Sequence, residues 1–231
     1  MLKSYIAFDI ETTGLNPAEN EIIEIGALKV REGKVAERFM ELVRPLSPVS
    51  PSITALTGIT NEMVSSARSR HDVISDFLDF CEGDLLLGHN VSFDYSFIKT
   101  NAAAEGFPFE KSGIDTLKIA QNVHKDLESR SLEYLCHYYH IENRSAHRAY
   151  HDALATAKLY QTLAHYFEAE NPRIFSPVQL NYKIKKLRPA TAKQIAFLTS
   201  LARKKKICAD WDPDTLTLSD ASRLIEMMLK Q

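Results

Sequence analysis

A short apolar run near the start of the chain decides the fold: YIAFDIETTG, residues 5–14. Its aromatic and β-branched residues predict a strand, and the Thr13-Gly14 pair at its end predicts a turn. Asp9 and Glu11 are two residues apart, so both carboxylates project from the same face of that strand. Two unpaired carboxylates on a buried face would be costly unless a cation lies between them. The alternative is a strand end at which both acids reach solvent.

The rest of the N-terminal part alternates strand-like and helix-like segments. Runs at 22–30 and 35–43 are typical of the two strands of an antiparallel hairpin. Residues 84–88 are typical of a buried strand, and Ser92 is predicted to cap a helix that runs to about residue 105. Sequence patterns predict further helices from residue 61 and at 73–81, 117–123, 131–139 and 151–168. This order of segments predicts an α/β fold with a mixed sheet.

Charge is distributed unevenly along the 231 residues. Apolar residues make up 45% and charged residues 25%, a balance typical of a globular protein. Residues 173–231 hold 12 Lys and Arg against 5 Asp and Glu, whereas the rest of the chain holds 16 against 25. Such a tail favours an anionic partner, and the alternative is a set of solvated faces. We expect a large domain at 1–170, a basic linker at 171–189 and a small helix–loop–helix module at 190–231, with helices capped at Thr191 and Ser219.

The cysteines and the apolar runs indicate the cellular compartment of the protein. Cys81, Cys136 and Cys208 are odd in number and far apart, which predicts reduced thiols and no zinc site or disulfide framework. No run approaches the roughly 18 apolar residues of a membrane span. The N-terminal apolar stretch is too short for a signal peptide. These features predict a cytoplasmic protein with no membrane partner.

Two further acids, Asp94 and Asp152, stand at predicted helix starts, where the helix dipole favours acids in any protein. His147 and His151 form an H-x-x-x-H spacing, which on a helix puts two imidazoles on one face, as in zinc enzymes. The glutamate expected after the first histidine of a zinc protease is Arg148 here, which argues against that interpretation. His147 and Asp152 are five residues apart, about 140° on a continuous helix. They converge only if His147 lies on the loop before the helix.

Three motifs follow one another along the chain: FDIETTGL at 8–15, GHNVSFD at 88–94 continuing to Phe97-Ile98, and AHRAYHDALAT at 146–156. They resemble the motifs of the DEDDh exonucleases, the superfamily of the DnaQ-like, epsilon-type proofreading subunits of bacterial DNA polymerase III. The segments ITALTGIT (53–60) and DTL (115–117) also match that family. The resemblance covers about residues 3–168, and five matches in the family's order make it specific.

The resemblance implies an RNase H-like fold, with a five-stranded mixed sheet flanked by helices, and a metal-dependent 3′→5′ exonuclease. The implied cofactors are two Mg²⁺ or Mn²⁺ ions, which clamp the scissile phosphate and activate the attacking water. Asp9, Glu11 and Asp152 would hold one ion, and Asp9 with Asp94 would serve the second. His147 would be the general base, a role that suits an imidazole because its ordinary pKa is about 6.5.

The resemblance also implies contacts with the substrate. Glu11 and the backbone N–H of Thr12 would touch the terminal 3′-OH. Leu15 would pack against the terminal base, and Asn90 would contact the strand. Stacking and phosphate contacts of this kind bind a single-stranded end with little sequence preference.

The function implied is release of nucleoside monophosphates from DNA 3′ ends, in proofreading or repair. The implied partners are a single-stranded DNA 3′ end and a DNA polymerase or another replication or repair protein. One alternative is an RNA 3′-trimming exoribonuclease of the same superfamily. Another is a catalytically inactive nucleic-acid-binding or docking protein, which would be expected to have lost at least one of the acids.

Overall fold

The computed structural model describes residues 1–143, 146–184, 189–205, 211–213 and 216–230, and in this part of the chain the first apolar run forms a central strand, β1, of a six-stranded sheet. The strands are β1 (Tyr5–Thr12), β2 (Ile22–Arg31), β3 (Lys34–Leu42), β4 (Leu86–Gly88), β5 (Ser112–Asp115) and β6 (Val178–Gln179). Their order in the sheet is β3-β2-β1-β4-β5-β6; β1, β4 and β5 are parallel, and the other neighbours are antiparallel. The predicted α/β class with a mixed sheet is confirmed. The sheet has one more strand than the five expected.

Helices pack on both faces of this sheet. They are α1 (Pro51–Thr57), α2 (Asn61–Ser65), α3 (Arg70–Cys81), α4 (Val91–Ala104), α5 (Thr116–Val123), α6 (Leu132–Tyr138) and α7 (Ala149–Phe167), followed by a 3-10 helix (Pro172–Phe175). On one face the even-numbered residues of β1 pack with α3 and α4, as Phe8 does with Phe77. On the other face its odd-numbered residues, such as Ala7, pack with α5 and α7. Because side chains alternate along a strand, Asp9 and Glu11 lie on the α7 face.

The first turn of α7 lies very close to β2 at Gly26. A Cβ atom at Gly26 would lie 1.9 Å from the backbone nitrogen of Tyr150 and 2.2 Å from the carbonyl carbon of Ala149. A residue without a side chain is therefore needed at this position. Gly26 pairs with Asp9 across the two strands, so the close approach brings the start of α7 beside the acids of β1.

The starts of α1, α4 and α7 differ from the predictions. The N-cap of α4 is Asn90, whose φ of 70° is left-handed, and not the predicted Ser92. The short helix α1 was not predicted; it has Pro51 in its first turn, where a missing N–H is tolerated, and Ser50 as its N-cap. α7 begins two residues before the predicted start at His151.

The chain divides into two compact units, Met1–Ile184 and Lys185–Gln231. Much of the predicted linker, residues 171–189, therefore belongs to the first unit. β6 pairs with β5, and Phe175 and Leu180 are buried against the sheet. The composition of this segment is dominated by prolines and basic residues, but its few apolar side chains are enough to attach it to the core.

Within its described residues, the second unit is a pair of helices, α8 (Ala192–Lys205) and α9 (Leu218–Lys230). They bury a small apolar cluster that includes Leu198. At the start of α8, the N–H of Gln194 donates to the hydroxyl of Thr191, and the N–H of Thr191 donates to Oε1 of Gln194. This reciprocal cap agrees with the helix start predicted at Thr191. α9 begins at Leu218 and is capped by the hydroxyl of Thr217, two residues before the predicted cap position.

Two of the three cysteines lie among the described residues. Cys81 and Cys136 are free and buried, and burial raises the pKa of the Cys81 thiol to about 12, which disfavours the reactive thiolate. Cys208, like Lys185, Lys186, Arg188 and Lys206 of the basic tail, lies outside the described residues. Among the helices described, none combines the length and the apolar composition that crossing a membrane requires.

The contact at Gly26 makes a testable prediction about stability. Gly26→Ala forces a methyl group into the backbone of α7, and overpacking of a dense core costs about 1–3 kcal/mol. We expect the top of that range, because the clashing atoms are main chain, and a loss of roughly 6–12 °C in Tm at this chain length. Gly83→Ala is the matched control, since its added methyl meets nothing within 4 Å. Thermal unfolding of both variants checks the prediction, and equal Tm values would contradict it.

Candidate active site

Four carboxylates from three elements come together at the end of β1. Asp9 and Glu11 belong to β1, Asp94 to the first turn of α4, and Asp152 to the first turn of α7. Asp94 is held against β1, since its Oδ1 accepts a hydrogen bond from the backbone N–H of Ile10 at 3.2 Å. The structure thus brings all four predicted acids into one cluster, in which Asp9 lies near enough to the other three for their charges to raise its pKa.

His147 lies on the loop immediately before α7, the placement that convergence with Asp152 requires. Its backbone has a φ of 62°, and its N–H donates to Oδ2 of Asp152 at 2.8 Å. Potential ligand atoms of His147, Glu11 and Asp152 all lie within 4.8 Å of one another. His151 lies inside the helix, so the two histidines do not share one helical face. The zinc arrangement that the H-x-x-x-H spacing suggested is therefore not formed.

Burial and mutual repulsion make the ionised forms of these acids unfavourable. Burial, followed by the charges of Asp94, Asp152 and Glu11, raises the pKa of Asp9 well above its usual value. Burial and the neighbouring acids raise the pKa of Glu11 to about 8. The pKa values of Asp94 and Asp152 are also raised, chiefly by burial. Protein groups alone therefore do not neutralise this cluster.

The donor set fits a hard divalent cation. Carboxylate oxygens are the ligands that Mg²⁺ and Mn²⁺ prefer, whereas zinc sites usually draw on thiolates and imidazoles. A bound cation also removes the repulsion that raises the pKa values of Asp9 and Glu11, because it favours the ionised carboxylates. A cation between the two acids of β1 would supply the positive charge that such a pair requires. Asp9 and Glu11 are only partly exposed, and removal from water is the first cause of the raised pKa of each. The alternative of a strand end at which both acids simply reach solvent does not fit these shifts.

The acids open onto a cleft of about 300 Å³. Its lining comprises Asp9, Ile10, Glu11, His89, Ser131, Leu132, Glu133, Asn143, Ala146, His147 and Asp152. Size does not single this cleft out, because another of about 320 Å³ lies beside Phe107 and Lys111. The cleft at the end of β1 is distinguished by its chemistry, because Asp9, Glu11 and Asp152 line it together with an imidazole.

Asn143 is a contact of the site that sequence patterns did not single out. Its Nδ2 donates to Oδ1 of Asp152 at 2.7 Å, while the N–H of His147 holds the other oxygen of the same carboxylate. Both oxygens of Asp152 are thus oriented by residues of the loop before α7. Asn143 lies nine residues before Asp152 in an irregular segment, where neither spacing nor periodicity signals a contact.

His89, in the second motif, is a structural residue. Its Nε2 donates to the carbonyl oxygen of Arg130 at 2.9 Å, so that Nδ1 accepts from the hydroxyl of Thr116 at 2.9 Å. Burial lowers its pKa, and the imidazole is therefore neutral at pH 7. Both nitrogens are occupied by protein groups, which leaves His147 as the imidazole of the cleft that is open to solvent.

The predicted substrate contacts lie on turns around the cluster. The hydroxyl of Thr12 donates to the carbonyl of Gly14 at 2.6 Å, which closes the turn after β1. Leu15 follows that turn and is 84% exposed. Asn90 is exposed at the start of α4, with its backbone N–H bonded to Asp115 at 2.9 Å. Leu15 and the side chain of Asn90 are thus accessible to a ligand.

Comparison with known proteins agrees with this geometry. Residues 6–160 match a family model described as Exonuclease (RNase T). The PolC-type DNA polymerase III of Caldanaerobacter subterraneus subsp. tengcongensis is 40% identical over 156 residues, which cover 68% of this chain and 11% of that protein. The corresponding protein of Lacticaseibacillus paracasei is 35% identical over 178 residues, which cover 77% and 12%. The chain therefore spans about a tenth of the length of these relatives.

Solved structures show the same fold. E. coli exonuclease I in complex with a dA16 oligonucleotide aligns with a TM-score of 0.64 at 19% identity, covering 75% of this chain and 42% of that one. Exonuclease X in complex with 5′ overhanging duplex DNA aligns with a TM-score of 0.58 at 25% identity, covering 74% and 97%. Since the family model spans well over half of the sequence, the chain belongs to the RNase T-type exonuclease family.

Proposed function

We propose that this chain is a metal-dependent 3′→5′ exonuclease that releases nucleoside monophosphates from DNA 3′ ends. The observation that carries the proposal is the meeting of four carboxylates with the open imidazole of His147, in a chain of the exonuclease family. The four acids and the histidine come from distant segments, and an inactive relative would not need to keep them together. The alternative of an inactive docking protein is therefore not favoured.

The carboxylates fit the two Mg²⁺ or Mn²⁺ ions that the sequence motifs imply. Asp9, Glu11 and Asp152 would hold one ion, and Asp9 with Asp94 would hold the other. When bound, such ions polarise the scissile phosphate and acidify the attacking water. His147 lines the cleft and is exposed, so its imidazole can accept the proton of that water and pass it to solvent.

The turn residues around the cluster would position the strand end. Leu15 offers an apolar surface for the terminal base, and the side chain of Asn90 can donate to the strand. Glu11 and the backbone N–H of Thr12 would contact the terminal 3′-OH. These four contacts would allow the protein to recognise a 3′ end of any base sequence.

DNA is the favoured substrate, because E. coli exonuclease I and exonuclease X are both solved with DNA. The relatives named as PolC-type DNA polymerase III favour a role in replication, where a 3′→5′ exonuclease proofreads, or in repair. The protein partner would then be a polymerase or another replication or repair protein. RNA 3′ trimming is the competing function, since phosphodiester hydrolysis at this site does not require a particular sugar.

The second unit has a surface suited to nucleic acid. Lys193, Phe197 and Lys204 are spaced by four and seven residues on α8, so they share one helical face, and all three are exposed. Phe197 is 46% exposed although its neighbour Leu198 is fully buried, so its ring is not used by the core of this unit. Lysines around an exposed aromatic ring can bind phosphates and stack a base. We propose that this face increases the affinity for longer DNA.

Digestion of end-labelled single-stranded DNA and RNA tests the activity, with Asp9→Asn as the inactive variant. We expect shortening of DNA from its 3′ end with Mg²⁺ or Mn²⁺ and none with a chelator. Asp9→Asn should lose all but a few per cent of the rate while keeping its fold, because this carboxylate is placed to serve both ions. Substantial activity of Asp9→Asn would refute the two-ion assignment, and faster digestion of RNA would favour the trimming enzyme.

The identity of the base is tested by exchanging each histidine of the third motif. His147→Ala should lower kcat by roughly 10²–10⁴-fold, because general-base catalysis contributes about that much. His151→Ala is the matched control and should change kcat only mildly, since His151 lies within the helix. A larger loss in His151→Ala would overturn this assignment.

Salt dependence of binding tests the role of α8. A full-length variant has Lys193, Arg203, Lys204 and Lys205 changed to Gln. For a labelled single-stranded 30-mer, the steepness with which log affinity falls with log salt concentration should be lower by about two to three units. Each phosphate contact on single strands contributes about 0.7 to that slope. The matched control changes four exposed lysines of the first unit, Lys34, Lys118, Lys125 and Lys158, to Gln. Equal slopes in the two variants would mean that the basic residues of α8 are a solvated face.

A further inference from the structure

A further carboxylate, that of Glu24, lies beside the cluster; it is buried and belongs to none of the motifs. It is on β2, directly opposite Glu11 of β1, and is 6% exposed. Its two oxygens accept hydrogen bonds from the guanidinium of Arg148, from Nε at 3.1 and 3.2 Å and from Nη2 at 2.6 Å. Oε2 also accepts the backbone N–H of Ala149 at 2.9 Å. Glu24 therefore binds both the side chain of Arg148, the residue before α7, and the N–H of Ala149, the first residue of the helix.

This pair is well matched for a buried site. A lone buried carboxylate would be costly, whereas a two-oxygen contact with arginine is among the stronger charge-assisted interactions. The added bond from Ala149 leaves both carboxylate oxygens occupied. Glu24 is buried whereas Arg148 is partly exposed, so a displacement of the helix start from β2 would leave the Glu24 carboxylate buried without its partners.

The residue between these anchors and the acid cluster is His147, and its backbone is strained. A φ of 62° is uncommon for a residue with a side chain and persists only where neighbouring contacts enforce it. On one side, the N–H of His147 is bonded to Asp152. On the other side, the next two residues, Arg148 and Ala149, are bonded to Glu24.

We propose that Glu24, through Arg148, is a positioning residue that holds His147 over the carboxylate cluster. The inference rests on the proposed function in that it takes His147 to be the base. Glu24 touches neither substrate nor metal in this scheme. It acts by fixing the peptide that follows His147, and a shift of about 1 Å in a reacting group can cost about 100-fold in rate.

A second effect of the same pair has to be separated from positioning. Arg148 also lies near Glu11, and its positive charge favours the ionised form of that carboxylate and so opposes the rise in its pKa. If electrostatic support of Glu11 were the main role, loss of Arg148 would weaken metal binding whether or not His147 were present. Loss of Glu24 would not, because the charge of Glu24 itself raises the pKa of Glu11. If positioning is the main role, loss of Glu24 or Arg148 lowers kcat only when His147 is present.

A double-mutant cycle distinguishes the two roles. Wild type, Glu24→Gln, His147→Ala and the double variant are compared on a single-stranded DNA oligonucleotide at saturating Mg²⁺. Gln at position 24 keeps the shape but presents N–H donors to Arg148. We expect Glu24→Gln to lower kcat by about 10–100-fold, with KM and the Mg²⁺ dependence within about twofold of wild type. In the His147→Ala background the same change should alter kcat by no more than about twofold.

Each outcome has a definite meaning. Multiplicative losses, a changed Mg²⁺ dependence, or an unchanged kcat in Glu24→Gln would overturn the positioning role. Full activity of His147→Ala alone would instead overturn the proposed base. Arg148→Lys, which keeps the charge but loses the two-oxygen contact, is the second variant and should repeat the kcat loss if Glu24→Gln does not fold. Glu105→Gln is the matched control: it breaks a similar pair with Arg70, at 2.7 and 2.8 Å, away from the cleft and should leave kcat unchanged.

Discussion

The crowding of carboxylates at the end of β1 is the constraint on which the rest of the structure depends. Burial, followed by the charges of neighbouring acids, raises the pKa of Glu11 to about 8. The cluster persists because two apolar layers and strands on both sides of β1 hold the backbone in place. A divalent cation relieves the repulsion. The arrangement that destabilises the metal-free protein therefore gives it affinity for metal.

The position of α7 relative to the sheet links this cluster to the loop that carries His147. Gly26 allows the first turn of the helix to contact β2, and the Glu24–Arg148 pair holds that turn in place. Asp152 is carried by the same turn, and His147 precedes it with a strained backbone. Packing of one helix end thus sets the relative placement of a metal ligand and the proposed base.

Much of the fold and of the site followed from local patterns. Alternation along β1 placed Asp9 and Glu11 on one face, and the five-residue separation from Asp152 required His147 to precede the helix. The α/β class followed from the order of strand-like and helix-like runs. These features depend on residues close in sequence, whose geometry is set by strand or helix periodicity.

The remaining features depend on contacts between distant residues or on very short segments. Glu24 and Arg148 are 124 positions apart, and neither belongs to a periodic pattern that would pair them. β6 has only two residues and exists because β5 offers it an edge. The left-handed Asn90 replaced the expected Ser92 as the cap of α4, and its backbone N–H is bonded to Asp115, the last residue of β5. Long-range packing decided each of these cases.

The most direct measurement compares the thermal stability of wild type and Glu11→Gln between pH 5 and 8, with and without Mg²⁺. The folded-state pKa of Glu11 is raised to about 8. Stability is therefore lost as pH rises from the unfolded value, about 4.3, towards 8. In the metal-free protein, Glu11→Gln should become more stable than wild type as pH rises, and Mg²⁺ at pH 8 should raise the Tm of wild type more than that of the variant. A pH-independent difference between the two proteins, together with no stabilisation by Mg²⁺ or Mn²⁺, would contradict a carboxylate cluster built for metal.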